Sequence, residues 1–396
     1  MANLKIKLSA RSLIGLSSLL LCLSAPFVRY TISGTGILFF VIAFSSVTTV
    51  LGYVMIGHLR PDKMQFLFVV ISLYIMLSVS IHTNFVFDAI KVQIATALIF
   101  MSTLDKKRMS AFWVGSFVIG FYFIYCYSFQ YVYFGGGIRR YVVLQDKYLD
   151  PNMVSANFLL PSILAIKLIM TDRARWKKVL MSLFLALVIY SSILGGSRGG
   201  LISLVLGAVI VIGYEVRTNK RALGMLIVFV IVSLVVLCQL SDLFPKDILQ
   251  RFTLESVKES GGTGRSTLYT KALSMIKDDT SISHMLFGYG MGTETQYFGK
   301  YIHNTFFDFM WGGGIIGIFV YMYVHIAAFL YCIKSKSNVA VAIFVATFVW
   351  SMTISLSSQL MYYANTYFAI MVARQNYIEN GKQDSYRHDM LRTEMV

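Results

Sequence analysis

Apolar runs of about 20 residues, the length that carries a helix across a bilayer, alternate with short polar connectors along this chain. They fall at 12–28, 35–57, 64–82, 85–104, 110–134, 152–171, 179–196, 200–214, 222–240, 305–333, 338–358 and 360–373. Barrel strands would instead alternate apolar and polar positions within each segment. The pattern therefore predicts an all-α polytopic membrane protein with about twelve transmembrane helices. Only one long stretch, 241–303, breaks the alternation. The expected organisation is an N-terminal transmembrane bundle over 1–240 with about nine spans, a large extracytoplasmic loop at 241–303, C-terminal transmembrane helices over 304–373, and a polar, poorly ordered tail at 374–396.

Within the large loop, residues 266–276 have helical spacing. Leu268, Ala272, Met275 and Ile276 share one face, with Lys271 and Lys277 displaced from it. This predicts a short amphipathic helix lying on the membrane surface. A second connector, 135–151, is also longer than a minimal turn, and reads as an outer loop.

Composition agrees with the pattern. The chain is 57% hydrophobic and 14% charged, where a soluble domain would carry about a quarter charged residues. The formal net charge is +16, from 35 Lys and Arg against 19 Asp and Glu. Its placement excludes a nucleic-acid footprint. The clusters Arg60/Lys63, Lys106/Lys107/Arg108, Arg173/Arg175/Lys177/Lys178, Arg217/Lys220/Arg221 and Lys334/Lys336 occupy alternate connectors. That is the positive-inside bias, and it predicts both termini in the cytoplasm. In the 241–303 stretch the basic residues are balanced by acidic ones, so that loop is neutral. The four cysteines, Cys22, Cys126, Cys238 and Cys332, all lie in apolar runs without metal-ligand spacing and read as packing residues.

Three residues on the predicted outer side bear candidate chemistry. Arg198 sits in Gly-Gly-Ser-Arg-Gly-Gly between two apolar runs, Arg265 precedes the amphipathic helix, and His303 opens His-Asn-Thr-Phe-Phe at the mouth of the next span. Guanidinium groups grip phosphate oxygens bidentately, a helix N-terminus favours anions, and an imidazole exchanges protons near neutral pH. Taken singly, each also reads as a snorkelling arginine, a solvated loop charge and an interfacial anchor. The span count places all three on one side, although it made no use of them. Arg139, Arg140, Asp150, Asn152 and Asn304 are candidate substrate-binding residues around the same mouth.

These motifs resemble the bacterial O-antigen ligase and polysaccharide polymerase superfamily. The resemblance rests on Gly195 to Gly200, on Gly264-Arg265-Ser266 followed by Gly288-Tyr289-Gly290, and on His303-Asn304-Thr305-Phe306 with Gly312, Gly313, Gly314 and Gly317; Asp150-Pro151-Asn152 is similar too. It covers about residues 145–330. It implies a metal-independent, ATP-independent glycosyltransferase of the C type in the bacterial inner membrane, needing no cofactor. The implied partners are an undecaprenyl-diphosphate-linked oligosaccharide donor, a glycan or lipid A-core acceptor, the lipid bilayer and, as a candidate, a chain-length regulator protein. Arg198 and Arg265 would hold the diphosphate, and His303 would act as general base or orient the acceptor. The leading expectation is a polymerase of lipid-linked repeats for O-antigen, capsule or exopolysaccharide. The alternatives are a ligase passing finished glycan to its acceptor, and a transporter of lipid-linked sugar, which would place charges at the membrane midplane.

Overall fold

The computed structural model describes residues 10–27, 31–32, 35–56, 62–82, 87–102, 104–134, 139–145, 147–218, 224, 246–250, 252–253, 265–354 and 359–393. Within them lie fifteen α-helices. In chain order the first eight are α1 (Ala10–Ser24), α2 (Ile37–Ile56), α3 (Lys63–His82), α4 (Phe87–Phe100), α5 (Lys106–Phe129), α6 (Pro151–Thr171), α7 (Arg175–Leu194) and α8 (Arg198–Thr218). Then come α9 (Lys246–Gln250), α10 (Arg265–Asp278), α11 (Ile282–Phe287), α12 (Glu294–Phe298), α13 (Thr305–Lys334), α14 (Asn338–Ser351) and α15 (Leu360–Thr393).

Eleven of the expected apolar segments are helical; the remaining one, 222–240, lies outside the described residues. Among the described residues, seven helices are long and apolar enough to cross a membrane, and three apolar helices are shorter. α4 and α14, with 14 residues each, reach only about 21 Å, less than a hydrocarbon core. An apolar run in the sequence does not by itself give the length of the helix that carries it, and α4 also holds Asp88 and Lys91 near its start.

Three expectations need correction. The 135–151 connector is not a plain loop. Strands β3 (Tyr131–Phe134), β4 (Arg139–Leu144) and β5 (Lys147–Leu149) form an antiparallel meander there, with Val142 and Leu144 buried at alternate positions of β4. A two-strand ribbon, β1 (Thr31–Ile32) with β2 (Thr35–Gly36), precedes α2. The tail does not break at Arg374, because α15 continues as helix to Thr393. Finally, the amphipathic helix α10 turns its apolar face inward. Leu268 and Ala272 are buried, and Ala272 packs with Ile302 and Trp311 among Tyr269, Met275, Ile276 and Phe298. Leu273 on α10 is exposed, and further exposed apolar side chains sit on the next helix, α11: Ile282, Met285 and Phe287.

α6 is the centre of the bundle, with 72% of its spanning window buried against at most 44% for the other six. It packs on α5, α7, α8 and α14, while α14 also joins α8 to α15. α13 crosses α3 and is broken by Gly314, whose φ of 57° and ψ of −152° are not helical. Such a break frees backbone carbonyls that must find other donors. The loop after α11 supplies them: Tyr289 N–H donates to Trp311 O at 2.8 Å, and Gly290 N–H to Gly312 O at 3.1 Å. From α3, Tyr74 Oη donates to Gly313 O at 3.0 Å. No side chain fits at the crossing, since a Cβ on Gly288 would come within 2.5 Å of Trp311 O. The break lies roughly 14 Å along α13 from its start, so residues 288–290 dip beside the helix instead of passing over its end.

Asp279 holds this segment. Its carboxylate accepts from Tyr289 Oη, from Ser281 N–H at 2.8 Å, and from His284 Nδ1 at 2.7 Å. Tyr289 then stacks on Trp311, with centroids 4.1 Å apart. These donors, Tyr289 foremost, lower the Asp279 pKa to about 2.

Gly314→Ala is expected to destabilise the protein by about 1–3 kcal/mol, because that backbone region admits almost only glycine. Gly213→Ala, where an added Cβ meets nothing within 4 Å, is the matched control. Thermal unfolding of the purified protein reads the difference. The Asp279 clamp has a depressed folded-state pKa, so its contribution is present above the ordinary carboxylate range and lost as pH falls toward about 2. Limited proteolysis within 279–290 should stay slow from neutral pH down to about 4, and quicken below that; Asp279→Asn should quicken it already at neutral pH.

Candidate functional site

Three helix starts meet at one end of the bundle. α8 begins with Arg198, α10 begins with Arg265, and α13 begins directly after His303 and its N-cap Asn304. Helix N-termini carry partial positive charge and ordinarily attract acidic residues, yet α8 and α10 have none in their first turns. α13 has Asp308, which is buried. A cation at the positive end of a helix costs helix stability and deepens the local attraction for an anion.

The start of α6 organises the Arg198 turn. Asp150 is its N-cap, accepting from Asn152 N–H at 2.7 Å, and Pro151 follows in the first turn. Asn152 is buried; its Oδ1 accepts from Ser197 Oγ at 2.9 Å, and its carbonyl from Trp350 Nε1 at 2.6 Å. Asn152 thus ties α6 to the Gly-Gly-Ser-Arg turn and to α14. The flanking glycines are needed for packing: a Cβ on Gly199 would lie 2.2 Å from Thr353 Cγ2, and one on Gly200 2.4 Å from Ser155. Gly196 turns the chain with φ 61°. Arg198 is partly buried, its Nε out of solvent.

The α13 start is joined to both arginine turns. Thr305 Oγ1 donates to Ser351 O at 2.6 Å and contacts Ile354 O at 3.1 Å, which flank the Thr353 that packs on Gly199. On the other side Tyr269, one turn beyond Arg265, stacks face to face on Phe307 at 4.3 Å and 3°, and its hydroxyl bonds the Asn304 side chain. Burial raises the Tyr269 pKa, with Arg265 and Asn304 pulling it back. Asn304 Oδ1 also accepts from Phe306 N–H at 2.9 Å and Phe307 N–H at 3.3 Å. His303 is half-buried, 6.4 Å from the Tyr301 ring. Its φ is +56°, a left-handed conformation uncommon outside glycine.

The other expected residues are placed differently. Arg140 lies over the Tyr131 ring at 4.0 Å and donates to Tyr133 Oη at 3.1 Å and Tyr127 O at 3.2 Å. It fastens the meander to the end of α5. The Arg139 side chain lies outside the described residues. Asp150 and Asn152 are engaged in capping and inter-helix bonds, and Asn304 both caps α13 and meets Tyr269. The sequence did not single out Tyr269, Thr305, Trp350 or Thr353 as a group. Thr305, just inside a helix start, carried a weak signal; the 351–354 turn carried none.

Residues 183–322 match a family model described as O-antigen ligase. The match begins within α7 and ends in α13, enclosing Arg198, Arg265, His303 and the Gly314 break. Comparison with curated proteins finds no match. The chain is thus a polytopic helical membrane protein with a domain of the O-antigen ligase and polysaccharide polymerase superfamily.

Proposed function

We propose that this protein transfers glycan from a lipid diphosphate to an acceptor hydroxyl on the extracytoplasmic face, and that the acceptor is a second lipid-linked repeat, making it a polymerase. The observation that carries the transfer chemistry is the linkage of three positive helix ends, two led by arginine and one preceded by histidine: α10 meets the first turn of α13 through Tyr269 on Phe307, and α8 is joined to that turn through residues 351–354. In this reading the acceptor oxygen attacks the anomeric carbon and the bond to the diphosphate oxygen breaks. The electron pair leaves on the diphosphate, and His303 takes the hydroxyl proton. Arg198, Arg265 and the helix ends offset charge as it builds on the leaving group. Fixed donors of this kind are the usual route to large rate gains.

The ligase, which passes finished glycan to lipid A-core or another acceptor, is the second reading; the description of the matching family favours it. A transporter is less supported. The buried ion pair inside the bundle, Lys167 with Glu215, lies near the end opposite Arg198, and the candidate residues gather at one mouth.

Arg198→Ala, Arg265→Ala and His303→Ala are each expected to lower transfer by about a hundredfold or more while membrane insertion persists. Long-chain glycan at normal levels in all three would refute the site. His303→Asn is the sharper test, since asparagine tolerates the left-handed backbone and removes the base. Arg265→Lys should be poorly tolerated if the grip is bidentate. Transfer by purified protein should survive a metal chelator; loss that returned on adding a divalent cation would overturn the two-arginine account. A deletion strain separates the acceptors: single-repeat products mark a polymerase, and an acceptor without any glycan marks a ligase.

A further inference from the structure

At the end of α8 opposite Arg198 an open cavity of about 630 Å³ lies between α8 and the turn joining α13 to α14. Its walls are apolar, with Val209 and Gly213 on one side and Ile333 and Val341 on the other, and its rim carries Arg217 and Lys336. Arg217 closes the spanning window of α8, Arg198–Arg217, so the rim lies at headgroup depth and the walls at acyl depth. Both cations are exposed, and among the described residues neither makes an ion pair. The carboxylate beside them is already answered: Glu215, 10% exposed, pairs with Lys167 and accepts from Asn338 Nδ2 at 3.0 Å. Two positive charges therefore remain over an apolar groove. A Cβ added at Gly213 meets nothing within 4 Å, so the groove comes close against the α8 backbone.

We infer that this groove binds an anionic diacyl phospholipid, its phosphate between Arg217 and Lys336 and an acyl chain along Gly213 and Val341. A zwitterionic headgroup would bring its own cation to the same rim and lose most of the attraction. The inference does not depend on the glycan-transfer reading, because the groove lies about 30 Å from Arg198 along α8.

The test is native mass spectrometry of the full-length protein in detergent, titrated with phosphatidylglycerol or with phosphatidylcholine. Wild type should retain phosphatidylglycerol preferentially. Arg217→Ala with Lys336→Ala should weaken it about thirtyfold, as two lost contacts with an anionic lipid imply, and leave phosphatidylcholine unchanged. Gly213→Phe, which fills the groove and keeps both cations, should weaken both lipids. Equal retention of the two lipids by wild type would overturn the proposal. So would unchanged phosphatidylglycerol binding in both variants, as expected if residues 219–245 of the chain itself fill the groove. Displacement of the lipid by inorganic phosphate at equal concentration would show that an anion alone suffices, and would overturn it too.

Discussion

The arrangement rests on how a membrane helix begins. A helix start leaves backbone N–H groups without partners inside the helix, and they draw negative charge. In this protein the ends of α8, α10 and α13 are brought to one place and given cationic or protonatable residues where acidic ones would stabilise the helices. The cost to each helix is small, of the order of 1 kcal/mol or less. Inter-helix bonds offset it: Asn152 to Ser197 and Trp350, Thr305 to the 351–354 turn, and Tyr269 on Phe307. The charge is held in place by groups that do not carry it.

This division explains which parts were readable from sequence. The helices were legible because long apolar runs in a chain of this composition read as membrane helices, but their full extent was not, since α4 and α14 are shorter than a hydrocarbon core. Arg198, Arg265 and His303 stood out as a set, because three separate motifs fell on one predicted side; singly, a charged residue at the mouth of a span is ordinary. The supports were not legible. Thr353 and Trp350 look like ordinary residues at the end of an apolar run, and only the crossing of α14 over α8 and α6 makes them neighbours of Gly199 and Asn152. Arg140 shows the opposite case. A loop arginine beside the candidate site suggested substrate binding, yet Tyr131 and Tyr133 engage it, because the segment around it folds as strands. Alternation over so few residues, beside a long apolar helix, is too weak a signal to read.

The amphipathic helix teaches a related lesson. Its apolar face was evident from spacing, but spacing gives no partner. Membrane surface and protein surface are both apolar destinations, and α10 meets Trp311 and Ile302. Exposed apolar residues then fall to α11, whose sequence is too short to show a period.

The break in α13 has a mechanical consequence. An unbroken helix carries its own hydrogen bonds and bends as a rod. Here the carbonyls at 311–313 are answered by Tyr289, Gly290 and Tyr74, so the first third of α13, the 279–290 segment and the middle of α3 are coupled into one unit. If a bulky chain must enter between α13 and its neighbours, the outer piece cannot swing alone. The bonds of Thr305 to Ser351 O and Ile354 O tie the same piece to the turn after α14, so His303 and the Arg198 turn keep their relative aim only while that piece stays seated there.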